Sequence, residues 1–169
     1  MNTSSRVAVY GGSFDPITNG HLDIVERGAR IFDQVIVAVL VNLQKKPFFT
    51  VEERMAFIAQ ATAHLDNVTV DFFPGLLVHY LQKKQAGFII RGLRAVSDYE
   101  NELQLASMNR ELDAQAETIF IPTRHEYSYL SSSIIKEIAR HNGDVSRFVP
   151  AVVNRAFMQR VANDSQSNG

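Results

Sequence analysis

The chain has 169 residues, a formal net charge of −1, 46% hydrophobic and 21% charged residues, and no cysteine. An ordinary globular composition without a basic surplus argues against a general nucleic-acid binder, and the missing cysteine excludes disulfides, thiolate metal sites and a cysteine nucleophile together. No apolar run approaches the roughly 20 residues of a membrane span, and the polar start Met1-Asn2-Thr3-Ser4-Ser5 does not read as a signal peptide. A cytoplasmic protein with no nucleic-acid partner and no membrane partner is expected.

In chain order, Val7-Ala8-Val9-Tyr10 reads as a buried strand. It runs into the glycine-rich turn Gly11-Gly12-Ser13-Phe14-Asp15-Pro16-Ile17-Thr18-Asn19-Gly20-His21. A helix follows, with Leu22, Val25, Ala29 and Phe32 at steps of three and four. Val35 to Val41 is apolar throughout, as a strand of a parallel sheet covered on both faces should be. After the polar loop Asn42-Leu43-Gln44-Lys45-Lys46-Pro47, Thr50-Val51-Glu52-Glu53 reads as a capping box opening a helix with Val51, Met55, Ile58, Thr62 and Leu65 on one face. Val68 to Phe72 is a third strand, and Leu76, Leu77, Tyr80 and Leu81 mark the helix after it. Phe88 to Ile90 is a fourth strand, stopping at Arg91-Gly92-Leu93-Arg94, with a helix from about Tyr99 to Leu112. Thr118 to Ile121 is a fifth strand closed by Pro122; helices from Ser132 to His141 and from Pro150 complete the pattern. The fold class is therefore α/β, a single-domain, doubly wound Rossmann-like fold with a five-stranded parallel sheet. The domain spans residues 1–161, and the polar tail 162–169 is expected to be disordered.

Ligands of such sheets bind beyond the carboxyl ends of the strands, near the switch in strand order. Four residue groups stand just there: Gly11 to His21, Lys45-Lys46, Arg91 to Arg94, and Tyr127 to Ser133. The glycines allow close backbone approach, and a helix N-terminus offers N–H groups to phosphate. Neither G-x-G-x-x-G nor G-x-x-x-x-G-K-[ST] is present. Thr18-Asn19-Gly20-His21 instead matches the [TH]-x-G-H signature of the nucleotidyltransferase superfamily; the bland alternative is a tight turn with a helix-capping histidine. Arg91 and Arg94 bracket Gly92 and suit a two-point phosphate clamp. Lys45-Lys46, taken by itself, reads as a solvated loop rather than a site. Ser131-Ser132-Ser133 offers more hydroxyls than one N-cap needs, and Tyr127 and Tyr129 suit either a base or the core. His64, His79, His125 and His141 show no ligand spacing, so no metal-ligating residues are assigned.

Ser13 to His21, Lys45-Lys46, the run Arg91-Gly92-Leu93-Arg94-Ala95-Val96-Ser97-Asp98, Met108-Asn109-Arg110 and Ser131-Ser132-Ser133 together resemble the bacterial phosphopantetheine adenylyltransferases, from about Val7 to Pro150. The resemblance implies transfer of AMP from ATP to 4′-phosphopantetheine, giving dephospho-coenzyme A and pyrophosphate. It further implies dependence on Mg²⁺, a homohexamer, and the penultimate step of coenzyme A synthesis. Position by position, it implies that His21 is catalytic and that Ser13 touches both substrates. It places Phe14, His21, Gly92, Leu93, Arg94, Glu102, Tyr127, Ser128, Tyr129, Leu130, Ser131, Ser132 and Ser133 on ATP. Lys45, Leu77 and Arg91 are implied to hold the acceptor. The chain departs from the family's common residues at Gly11, Ser13, Asn42-Leu43-Gln44, His79 and Asn101.

The implied reaction suits what the sequence lacks. An acceptor phosphate is already a nucleophile, so alignment and charge neutralisation are enough without a side-chain nucleophile or base. Two other readings stay open: a nucleotide-sensing module, and an adenylyltransferase with another acceptor.

Overall fold

The computed structural model describes residues 5–41 and 46–167. Strands and helices alternate, as the sequence pattern requires. They are β1 (Val7–Gly12), α1 (Asn19–Ile31), β2 (Gln34–Val41), α2 (Val51–Ala61), β3 (Val68–Pro74), α3 (Leu77–Lys84), β4 (Phe88–Leu93), α4 (Val96–Leu112), β5 (Glu117–Pro122), α5 (Ser132–Arg140) and α6 (Ala151–Ser167). A single 3₁₀ turn, His125–Tyr127, lies between β5 and α5. The strands pair in parallel in the order β3-β2-β1-β4-β5. No described helix is long and apolar enough to cross a membrane.

Side-chain alternation divides the core in two. Ala8, Tyr10, Val35, Val37, Val39 and Ile90 join the larger cluster with α1, α2, α5 and α6. Val9, Ile36, Ala38 and Ile89 face the smaller one with Phe73, Tyr80 and Leu81. Burying either apolar set contributes about 25 cal/mol per Å² removed from water. The larger face therefore carries most of the stability.

Several boundaries differ from the sequence reading. Gly11 and Gly12 belong to β1, paired with Ala38 and Val39. Arg91, Gly92 and Leu93 belong to β4, paired with Phe120, Ile121 and Pro122. Glycine and arginine carry weak strand signals, so only the neighbouring strands settle these ends. On α1 the buried residues are Gly20, Asp23, Ile24, Val25 and Gly28, not Leu22 and Ala29. The buried stripe follows Gly28 because a side chain there would meet Ile90 Cδ1 at 2.9 Å, letting the helix sit close to the sheet. Thr50 and Glu53 do form a reciprocal capping box. That helix stops at Ala61, where the Thr62 hydroxyl donates to the Ile58 carbonyl, so Leu65 lies beyond it. α4 begins three residues before Tyr99, and α6 continues past Ala162 into the stretch read as a tail. Lys45 and its neighbours 42–44 lie outside the described residues.

Candidate active site

The sheet opens where its strand order reverses. β1 and β4 pair only at Ala8↔Phe88 and Val9↔Ile89. β1 stays registered with β2 as far as Gly12, and β4 with β5 as far as Leu93. Past Val9 the two central strands therefore part, which is the geometry of a ligand crevice at a topological switch point. Arg91 bridges the gap: its Nη1 donates to the Gly11 carbonyl at 3.0 Å. Its Nε and Nη2 donate to the two carboxylate oxygens of Glu102, each at 2.6 Å. The paired carboxylate outweighs burial and keeps this guanidinium charged. Two of its five N–H groups remain for a ligand.

His21 sits at the third position of α1 and does two jobs. Thr18, the N-cap, accepts from the His21 amide at 3.3 Å, and the Thr18 amide donates to His21 Nδ1 at 3.0 Å. A backbone N–H can only donate, so Nδ1 is unprotonated and the neutral ring carries its proton on Nε2. The ring is held edge-on against Phe14, 5.2 Å between centroids, and lines the cavity. Burial first, then repulsion from Arg94 and Arg91, pushes its pKa down to about 4. At neutral pH the ring is thus a fixed neutral donor. The capping histidine and the catalytic candidate are the same residue.

Phe14 explains both the ring's placement and a glycine. Its backbone has φ of 43°, a left-handed conformation that costs a side-chain-bearing residue roughly 1–2 kcal/mol. Its ring folds back over β1, so that a side chain at Gly12 would meet Phe14 Cζ at 3.1 Å. A side chain at Gly12 would press on that ring.

Opposite α1 stands the N-terminus of α5. Ser131 caps it, accepting from the Ile134 amide at 3.2 Å, and the Ser132 hydroxyl donates to the Pro16 carbonyl at 2.8 Å. Among the described residues, the N–H groups of Ser132 and Ser133 find no backbone acceptor. Two helix N-termini, α1 and α5, thus border one cavity of about 320 Å³, with Arg91 and Arg94 beside them. Partial positive charge from both ends adds to the two guanidinium groups. The arrangement favours a polyanion.

Of the residues singled out in the sequence, Ser13, Phe14, His21, Arg91, Gly92 and Arg94 line this cavity, as do Glu102, Tyr127, Leu130, Ser131, Ser132 and Ser133. Leu93, Ser128 and Tyr129 do not: Ser128 donates to the His125 carbonyl, and Tyr129 is exposed with its ring against Phe148. Leu77 lines a second, mainly apolar cleft of about 290 Å³ with Phe73, Leu76, Leu105, Ala106 and Asn109. Gly11, Arg91 and Glu102 belong to both spaces. Thr118 also lines the cleft, and its buried hydroxyl has no partner among the described residues.

The sequence reading missed Tyr10, Ile24 and Thr123, which also line the cavity, and the cations Arg54 and Lys136 behind it. Arg54 is buried and its Nη1 donates to the Ser13 carbonyl at 2.8 Å. Asp15 accepts from the Phe48 and Phe49 amides, each at 2.8 Å, and from Lys136 Nζ at 3.1 Å. Arg54 follows directly on the capping box and Lys136 sits mid-helix; local sequence marks both as solvent-facing. Among the described residues no three His, Asp or Glu side chains converge as a metal cage.

A parallel sheet that splits at its switch point onto a polyanion-binding cavity between two helix N-termini defines an α/β nucleotide-handling domain. The chain belongs to the cytidylyltransferase-like family, which matches residues 9–138, and is a nucleotidyltransferase. Its fold is similar to that of a protein from Vibrio parahaemolyticus assigned as a nicotinate-nucleotide adenylyltransferase, with TM-score 0.64, 19% identity, and 89% and 90% of the two chains covered. It is also similar to the lipopolysaccharide core biosynthesis protein from Thermoplasma volcanium GSS1, with TM-score 0.54, 20% identity, and 71% and 98% covered.

Proposed function

We propose that this nucleotidyltransferase moves AMP from ATP to 4′-phosphopantetheine, releasing pyrophosphate and dephospho-coenzyme A, the penultimate step of coenzyme A synthesis. The observation that carries the reading is the sharing of Arg91 between two unlike spaces. One is polar and bordered by helix N-termini, as a triphosphate requires. The other is mainly apolar, lined by Leu76, Leu77 and Leu105, and suited to a pantetheine arm, with Asn109 as a polar partner for its amides. A mononucleotide acceptor would bring a ribose and base needing several hydrogen bonds, which that lining does not offer.

In this reading an acceptor phosphate oxygen attacks the α-phosphorus, a new P–O bond forms, and the bond to the β-phosphate oxygen breaks. Arg91 orients the incoming phosphate. His21 Nε2–H donates to an α-phosphate oxygen, and the α5 N-terminus with Arg94 takes up charge on the leaving pyrophosphate. Mg²⁺ neutralises phosphate charge when bound. Among the described residues the one acid lining the cavity, Glu102, is committed to Arg91, so the ion would be held by phosphate oxygens and water rather than by a protein cage.

The same proposal extends to a homohexamer. Apart from side chains not described, α4 has no buried residue, and it exposes Tyr99, Leu103, Leu105, Met108 and Leu112. Met108 and Leu112, one helical turn apart and clear of both clefts, are expected to meet another copy. Pyrophosphate release measured with ATP and a panel of acceptors tests the function. Turnover with 4′-phosphopantetheine and not with nicotinate mononucleotide supports it; the reverse preference overturns it.

A further inference from the structure

The turn Ser13–Pro16 carries the left-handed Phe14 and presents Ser13 and Phe14 to the cavity. Two cations that do not line the cavity grip this turn, one from α2 and one from α5. From α2, Arg54 reaches the Ser13 carbonyl at 2.8 Å while its Nε donates to the Thr50 carbonyl at 3.3 Å. From α5, Lys136 reaches Asp15 Oδ2 at 3.1 Å, and Ser132, one helical turn earlier on the same face, donates to the Pro16 carbonyl at 2.8 Å. Asp15 is also the acceptor for the Phe48 and Phe49 amides. Ser13, Asp15 and Pro16 are thus each fixed by a partner distant in sequence, and the strained residue lies between them.

Burying charge is costly and apolar packing would stabilise the fold at least as well, so stability alone is a poor reason for this arrangement. Its distinctive product is geometric. Displacing α5 from the turn would move the serine-rich helix start, the Ser13–Phe14 backbone and the Phe14 ring that props His21, all together. We infer that Arg54 and Lys136 are positioning residues for nucleotidyl transfer, which lock the Ser13–Pro16 turn to α2 and α5 and so hold the two walls of the cavity in register. The inference rests on the reading of that cavity as the transfer site.

Lys136 is partly exposed, so Lys136→Met is the variant to make first, with Lys136→Arg as its conservative counterpart and Arg54→Lys as a second probe. With register lost but no ligand contact removed, Lys136→Met should keep its ATP dissociation constant within about threefold and lose about tenfold or more in kcat. Lys136→Arg should recover most of that loss. A readout independent of turnover is amide hydrogen exchange at Phe48 and Phe49, whose donors end on Asp15. It should quicken about tenfold in Lys136→Met and not in Lys136→Arg. Unchanged exchange together with kcat within about twofold of wild type in both Lys136→Met and Arg54→Lys overturns the inference. If the wild-type protein transfers no nucleotide to any acceptor, the reading of the site fails separately. The exchange data then decide whether the turn is locked: unchanged exchange overturns the inference there too.

Discussion

His21 shows how a single side chain can serve folding and chemistry with different atoms. Nδ1 closes the capping box of α1, and Nε2–H is left for a ligand. Replacing the residue by alanine removes both and confuses them. Glutamine is a favoured capping-box residue at the third helical position, so His21→Gln keeps the cap and misplaces the donor. His21→Gln should keep the wild-type melting temperature within a few degrees and lose about 10²–10³ in turnover, with ATP affinity changed only a few-fold. His21→Ala should lose similar turnover and an additional ~1 kcal/mol of stability. Steady-state kinetics, calorimetry and thermal melts separate the two effects; near-normal turnover in His21→Gln would leave the ring with its capping role only. Arg91 poses the related question of a cation that is already engaged. Lysine cannot reproduce three bonds in a plane, so Arg91→Lys frees Glu102 and the Gly11 carbonyl. It should raise the KM for the acceptor by about tenfold and lower stability by about 2 kcal/mol, below the cost of breaking a fully buried pair. Unchanged acceptor KM would show that the guanidinium serves only as a strut.

At the scale of elements, α4 is the outlier. The other long helices bury side chains in the larger core cluster, whereas α4 supplies Glu102 to Arg91, lines the apolar cleft with Leu105 and leaves Met108 and Leu112 exposed. A helix with apolar residues on an exposed face is stabilised by what covers it. If copies of the chain provide that cover, the wild-type protein should sediment well above the 19.0 kDa of a single chain. Met108→Glu combined with Leu112→Glu should shift it toward monomer, because two carboxylates in an apolar contact are costly to desolvate. Both residues lie outside the two clefts, so residual activity of the dissociated form reports how far the site depends on assembly. A wild-type monomer at micromolar concentration would dismiss the hexamer.

For the molecule as a whole, the depressed pKa of His21 becomes a stability effect. The unfolded ring takes up a proton near 6.5 and the folded ring only near 4. Between those values the unfolded chain binds more protons, so stability falls as pH falls from about 6.5 to about 4. The full loss is on the order of 3 kcal/mol. Thermal melts across that range should show a slope that is shallower in His21→Gln. An equal slope in both proteins would assign the acid limb to other groups. Catalysis should not follow this titration above pH 5.5, because the ring is already neutral there.

The local signals were legible in the sequence because their physics is local. Alternating apolar runs gave five strands and their helices, Thr50 with Glu53 gave a capping box, and the glycine-rich turn ending in Thr18-Asn19-Gly20-His21 marked the helix start where a phosphate would sit. The cavity residues Ser13, Arg91, Arg94 and Ser131 to Ser133 could be named for the same reason: strand ends and helix starts bear their own residue preferences. What tertiary structure decided was everything that depends on two strands or two helices at once. The parting of β1 from β4 after Val9, the clasp of Arg91 by Glu102, and the choice of Ile24 and Gly28 as the buried stripe of α1 each follow from packing between distant segments. So does the grip of Arg54 and Lys136 on one turn, whose partners lie 41 and 121 residues away. A charged side chain carries no mark of where it will be buried; only the fold brings its partner within reach.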